Sequence, residues 1–391
     1  LSSQETAVTA SDLAAIADEA RAAGAIGLDT EFMRERTYRA RLCLVQIATP
    51  QAIYIVDPLD VPDLSEIAAL IADPEVEVVV HAGRQDLEIF FEGYEAVPSR
   101  IYDIQLAAAF AGLGASLPYG RLVQELTGAK LKKGESYSDW CRRPLTKEQM
   151  SYAADDVRYL LEGADELKRQ LTEQGRATWV HEELAALESR DAFVLDLDEV
   201  YRRVGGRGSL TGKQLGVLRE VAKWREMEAQ RRDTPRGWVV KDPTLIEIAR
   251  RSPTDIAALT RIRGLNPKEA ERFGKDILAA VDRGLSGEEL KTPKAPPRSA
   301  QIRARVLSGP CDAIVRSRCE AANIATELVS TRGELEALLA DISSGVKDLS
   351  RHRMMQGWRK ELAGDHVVAF ADGSVTLQAT ERPPYIQEVR L

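Results

Sequence analysis

Apolar residues recur along this chain in two rhythms, and the change of rhythm divides it. Over the first 110 positions short apolar runs alternate with helical stretches. Ala25–Phe32, Leu42–Ala48 and Ala52–Asp57 read as strands, the last two separated by the turn residues Thr49-Pro50-Gln51. Three strands in close succession predict an antiparallel meander. Leu64–Ile71 is expected as a helix, Val76–His81 as a buried strand, Asp86–Glu92 as a helix and Arg100–Asp103 as a short strand. From Ile104 onward the spacing is mainly helical. A mixed sheet with helices on its faces is the implied architecture.

The polar, glycine-bearing stretch 128–146 has the length at which a loop is usually functional or disordered. Thr146, with Gln149 three residues on, predicts a capped helix that carries Tyr152 and Asp156 and continues past Tyr159. A second boundary lies near 186–210 and ends in a glycine-rich loop. Thr211 caps a helix to about Arg232. Further helices are expected after Asp242-Pro243, after Ser252-Pro253, and from Pro267 to Arg283. Residues 285–300 hold three prolines and read as a linker. Beyond it, helices are expected over about Cys311–Val329, Glu334–Ile342 and Met354–Leu362, with Val367–Phe370 and Val375–Leu377 as a terminal hairpin. This gives three domains: 1–190, 210–286 and 300–391. Trp224, Trp238 and Trp358 are taken as core residues.

Charge sharpens that division. The net charge of −8 hides an acidic first part, 19 basic against 36 acidic residues over 1–199, and a basic middle, 22 against 13 over 200–300. An acidic module that handles a polyanion needs cations or a basic neighbour. No apolar run is long enough to span a membrane. The first ten residues lack the basic start and apolar core of a signal peptide. A start at Leu implies that the true beginning is missing. Four scattered cysteines show no zinc spacing, and no disulfide is expected, so a soluble, reducing cytoplasm is the default, and a monomer is the expected state.

The candidate chemistry is acidic. Asp29 and Glu31, two apart on a strand, project to one face. Asp86 follows the Val76–Val80 run, and Asp156 shares a helix face with Tyr152. Like charges converging in a partly buried site cost several kcal/mol at short range and raise one another's pKa. Divalent cations remove that cost, and an all-oxygen set suits Mg²⁺ or Mn²⁺. Two such ions suit in-line phosphoryl transfer, with Tyr152 orienting the attacking water. Acidic residues number 61 of 391, so an Asp-x-Glu pair alone proves little, and spacing does not choose between Asp155 and Asp156.

The words around these acids add to this. Gly27-Leu28-Asp29-Thr30-Glu31-Phe32, His81-Ala82-Gly83-Arg84-Gln85-Asp86 and Tyr152-Ala153-Ala154-Asp155-Asp156 resemble the three motifs of the DEDDy 3′→5′ exonucleases. Tyr38, Gln46, Ile101-Tyr102-Asp103 and Ser138-Asp139-Trp140 match the ribonuclease D branch of that family. The resemblance covers about 8–190. It implies a ribonuclease H-like fold and release of nucleoside 5′-monophosphates from RNA, single-stranded 3′ ends of tRNA-precursor-like molecules being the expected substrate. It also implies that Asp29, Glu31 and Asp156 ligand one metal, that Asp29 bridges to a second, and that Asp86 acts mainly through a water. Asp156 occupies the family's tyrosine-plus-four position. Asp103 reads equally as a cap for the helix after it.

Residues 211–285 resemble the HRDC module in Arg225–Pro235, Asp242-Pro243-Thr244-Leu245 and Ile262–Gly264. Gly357-Trp358-Arg359 carries a thinner likeness, to a second HRDC-like helical module. Arg231, Arg232, Arg236 and Lys241 are the expected nucleic-acid contacts there, and Lys130, Lys132 and Lys133 in the loop before the third motif. A DNA exonuclease and a non-catalytic nucleic-acid adaptor are the rival readings. The absence of a GxxxxGK[ST] loop argues against a helicase motor.

Overall fold

The computed structural model describes residues 4–131, 138–290 and 296–390. It forms two compact units. The first joins Leu1–Glu31, Cys43–Ala192 and Ala295–Leu391; the second joins Phe32–Leu42 and Phe193–Lys294.

The first unit is built on a six-stranded sheet in the order β1-β4-β3-β2-β5-β6, from β1 (Gln4–Ala7), β2 (Ala25–Met33), β3 (Arg41–Ala48), β4 (Ala52–Val56), β5 (Glu77–Val80) and β6 (Ile101–Asp103). β3 and β4 are antiparallel, whereas β1 runs parallel to β4, and β2, β5 and β6 run parallel to one another. The expected mixed sheet is therefore present. β1 and the helix α1 (Leu13–Ala23) are additions that the apolar pattern did not indicate.

The helices that follow are α2 (Ser65–Ile71), α3 (Arg84–Tyr94), α4 (Ile104–Ala111), α5 (Tyr119–Thr127), α6 (Lys147–Arg158), α7 (Leu160–Glu173) and α8 (Ala177–Leu184). The helix expected to run through Tyr159 is two helices, because Tyr159 leaves helical geometry at φ −111°. Thr146 caps α6 as the sequence suggested: its hydroxyl accepts from Gln149 N at 3.1 Å, and Gln149 Oε1 accepts from Thr146 N at 2.9 Å. α7 packs closely on the sheet at Gly27, where a Cβ would meet Leu160 Cβ at 3.1 Å and Ala48 Cβ at 3.3 Å.

Cys43 and Cys141 form a disulfide with Cα atoms 5.1 Å apart, contrary to the expectation of none. A separation of 98 residues conceals the proximity of β3 and the segment before α6. The same segment is held by Arg143, which pairs with Asp57 and donates to the carbonyls of Cys43 at 2.8 Å and Trp140 at 2.7 Å. Its described part is thus tied to the sheet rather than a free polar loop.

Also in this unit are α14 (Arg298–Ala321), α15 (Thr326–Val329), α16 (Arg332–Ser343), α17 (Gly357–Arg359) and α18 (Asp365–Asp372). The single helix expected over Cys311–Val329 breaks at Ala322–Ala325. Val367–Phe370 is helical rather than a strand, and the hairpin joins β7 (Val375–Ala379) to β8 (Ile386–Arg390). A continuous run of four apolar residues cannot separate a strand from a short helix. Trp358 is buried as expected, stacked on Trp179 at 5.1 Å, and Arg359 pairs with Glu183 through both nitrogens.

The second unit is helical: α9 (Gly212–Arg232), α10 (Arg236–Val239), α11 (Asp242–Arg251), α12 (Ile256–Thr260) and α13 (Pro267–Ser286). Thr211 and Asn266 cap α9 and α13 with reciprocal boxes. The helix expected after Ser252-Pro253 is α12, which starts at Ile256 under an Asp255 cap, while Ser252 ends α11 in a left-handed turn. Val217, Leu218, Val221, Leu245, Ile248 and Ile277 centre its core. Tyr38 joins it, donating to Glu226 at 2.7 Å, while Asp233 accepts from the backbone of Tyr38 and Arg39 at 3.0 Å. Among the described residues no helix is long and apolar enough to cross a membrane.

Candidate metal centre

Three elements deliver the acids. β2 carries Asp29 and Glu31 on one face, α6 presents Asp156, and one carboxylate oxygen from each of these three lies within 4.8 Å of the others. Asp86 stands in the first turn of α3 and accepts a hydrogen bond from the Thr30 hydroxyl. Its turn is set by two small features. A Cβ on Gly83 would strike the Val80 side chain at 2.5 Å, and Ala82 adopts a left-handed φ of 57°. Asp103 holds that corner by accepting from Ala82 N at 3.0 Å while capping α4 at Gln105 N, 2.9 Å. Asp103 therefore acts as a cap and a brace.

Tyr152, one turn before Asp156, donates its phenol to that carboxylate, and its ring lies 5.9 Å from the buried Trp140. Asp155, which spacing alone did not distinguish from Asp156, turns to Arg158 at 2.9 Å.

Electrostatics mark the group as under-compensated. Burial comes first for each acid. Asp29 is pushed well above the usual carboxylate range, then further by Asp86, Asp156 and Glu31. Glu31 rises to about 8 through burial, then Asp156 and Asp86. Asp156 rises to about 7, with Asp155 adding to the burial effect, and Asp86 rises to about 6 against the Thr30 hydrogen bond. Hard, oxygen-only donors that repel one another are what a divalent cation neutralises, so the residues present fit a metal site.

Two neighbours escaped the sequence reading. Thr30 lies between the two acids of β2 and anchors Asp86. Tyr119, on α5, is half-buried within electrostatic reach of Asp156 and Asp29, and its oxygen accepts from Tyr159 N at 3.3 Å. Nothing in the spacing of residue 119 from the acids signals this.

The expected nucleic-acid contacts divide. Lys132 and Lys133 lie outside the described residues. Arg231 pairs with Glu228 at 2.7 Å, and Arg232 lies 3.8 Å from the same carboxylate and over the Phe273 ring. Arg236 and Lys241 are exposed.

Residues 4–172 match the 3′-5′ exonuclease family model, and 214–281 match that of the HRDC domain. The ribonuclease D of Gluconacetobacter diazotrophicus is 38% identical over 94% of this chain and 93% of its own length. The chain belongs to the ribonuclease D family. Crystallographic Escherichia coli RNase D, described as an exoribonuclease involved in structured RNA processing, superimposes with a TM-score of 0.80 at 29% identity, covering 95% of this chain and 99% of that one. The catalytic core of RRP6 from Trypanosoma brucei gives 0.52 at 26%, over 73% of this chain and 80% of that one. This family member is a hydrolytic 3′→5′ exoribonuclease with an α/β exonuclease domain and a helical HRDC domain, and its acidic cluster can hold metal.

Proposed function

We propose that Asp29, Glu31, Asp86 and Asp156 together hold two divalent cations, Mg²⁺ or Mn²⁺, and that the enzyme trims single-stranded 3′ ends of structured RNA, tRNA precursors among them, to nucleoside 5′-monophosphates. We also read it as a cytoplasmic monomer of three modules, 1–190, 210–286 and 300–391. The observation that carries the catalytic reading is the convergence of three carboxylates within 4.8 Å from β2 and α6, Asp29 and Glu31 pushed toward protonation by burial and by the other acids of the cluster, and Asp156 by burial and by Asp155.

Cations bound there supply the Lewis acid that draws charge from the scissile phosphate and favours a hydroxide nucleophile. The chain's own part is placement. Asp29 and Glu31 are fixed by the β2 backbone. Asp86 is fixed by Thr30 and by the corner that Asp103 braces. Tyr152 is the residue positioned to orient the attacking water, its phenol already anchored on Asp156.

Incubation of a 3′-extended RNA with Mg²⁺ or Mn²⁺ tests this reading. Stepwise shortening to 5′-monophosphates is expected, with a matched DNA strand degraded more slowly. Tyr152→Phe keeps the ring against Trp140 and removes only the hydroxyl. It is expected to lower kcat about 10- to 100-fold, the scale of losing an indirect metal-site contact, with little change in KM. A fully active Phe variant would remove Tyr152 from the chemistry.

A further inference from the structure

Trp140 is 2% exposed and sets its ring 5.9 Å from that of Tyr152, yet its indole N–H has no hydrogen-bond partner among the described residues. A buried ring with no polar anchor of its own takes its place from its packing and its backbone. That backbone is tied at two points. The Trp140 carbonyl accepts from Arg143 at 2.7 Å, and the next residue, Cys141, is bonded to Cys43. Cys43 is fully buried on β3, the neighbour in the sheet of the strand that carries Asp29 and Glu31. The Cys43–Cys141 bond thus runs from the sheet of the metal centre to the residue beside the ring that backs Tyr152.

Arg143 is the other tie, and it does not depend on the sulfurs. It reaches Asp57 and the carbonyls of Cys43 and Trp140 together. Opening the disulfide therefore loosens the mount of Trp140 without releasing it. In a reducing cytoplasm, the compartment proposed above, disulfides are usually transient and are catalytic or redox-sensing. Cys311 and Cys319 are buried and free, so pairing belongs to the two cysteines that meet beside Trp140.

We infer that Cys43 and Cys141 form a reversible thiol–disulfide site that sets turnover by positioning Tyr152 through Trp140. Access is one-sided, because Cys43 is fully buried and Cys141 half-buried. A small thiolate attacks Cys141 Sγ, breaks the Sγ–Sγ bond and releases Cys43 as a thiolate, which takes up a proton. A second small thiolate attacks the mixed disulfide, frees Cys141 and leaves as the small disulfide. Two electrons and two protons have then passed from the small thiols to the protein. Trp140 is a positioning residue in this scheme. The inference rests on the role proposed for Tyr152 and adds its regulation.

The test compares the full chain closed with oxidised glutathione and opened with reduced glutathione. Alkylation of the denatured protein should count two free thiols in the first form and four in the second. With saturating Mg²⁺ and a 3′-extended RNA, opening is expected to lower kcat about 3- to 10-fold with KM unchanged, short of the roughly 10- to 100-fold cost of losing an indirect metal-site contact outright. Cys43→Ser combined with Cys141→Ser should turn over at the open rate in both buffers. In Tyr152→Phe the two forms should turn over alike, since the group being positioned is gone. A disulfide that only braces the fold gives another pattern: a lower melting temperature on opening with kcat unchanged, or the same fall in kcat with Tyr152→Phe. Either result, or a bond that glutathione does not open, would overturn the site. If the double serine variant does not fold, the two forms of the unsubstituted chain and of Tyr152→Phe still decide. A closed form that shortens no RNA sinks the exoribonuclease reading; one that shortens it at the open form's rate sinks this inference alone.

Discussion

Asp29→Asn is expected to lower turnover of a 3′-hydroxyl RNA by more than about 100-fold, beyond the loss seen when only an indirect support of a metal ligand is removed. The substitution keeps shape and volume but removes the charge that Asp86, Asp156 and Glu31 all oppose. The metal-free molecule should therefore melt at the same temperature as the parent or higher, because a buried like-charge conflict has been relieved. A structural role for Asp29 gives the reverse pattern: a lower melting temperature with activity falling only as the folded fraction falls. Circular dichroism melts in chelator, set beside single-turnover assays, separate the two.

The second large effect is on stability against pH. Glu31, Asp156 and Asp86 have folded values of about 8, 7 and 6 against ordinary values of 4.5, 3.8 and 3.8. Between roughly pH 4 and 8 the folded molecule thus binds more protons than the unfolded chain, so this site's contribution to stability is present at the acid end and lost as pH rises. In chelator, the melting temperature should fall across that window. Divalent cation replaces the protons as neutralising charge, so saturating Mg²⁺ should flatten the fall and raise the melting temperature most at pH 8. Cation at 100 times its dissociation constant adds about 2.7 kcal/mol. Asn at position 29 should shrink both the pH slope and the cation effect. A melting temperature that rises from pH 5 to 8 in chelator, with no response to Mg²⁺, would contradict the cluster's electrostatics.

How much of this was readable beforehand varies with the length scale of the cause. Thr146–Gln149 and Thr211–Gln214 caps are local chemistry three residues apart, and both appear where the spacing placed them. Asp29 and Glu31 share a face because a strand alternates. β1 was invisible because Gln4-Glu5-Thr6-Ala7 has no apolar alternation; the register with Ala52–Ile55 of β4 makes it a strand. The Cys43–Cys141 bond and the approach of Tyr119 to Asp156 depend on tertiary placement that no local pattern encodes. Trp238 was misread for a related reason. Composition says that tryptophan is usually covered, but Val239 of α10 and Val240 just after it are buried while the indole is left exposed.

The catalytic account stands on cations held between β2, α3 and α6. Its most direct test is anomalous diffraction from crystals soaked in Mn²⁺. Two Mn²⁺ peaks among Asp29, Glu31, Asp86 and Asp156, reduced or lost in Asp29→Asn crystals, are the expected result. Fully occupied Mn²⁺ elsewhere on the molecule, with no peak among these four carboxylates, would contradict it.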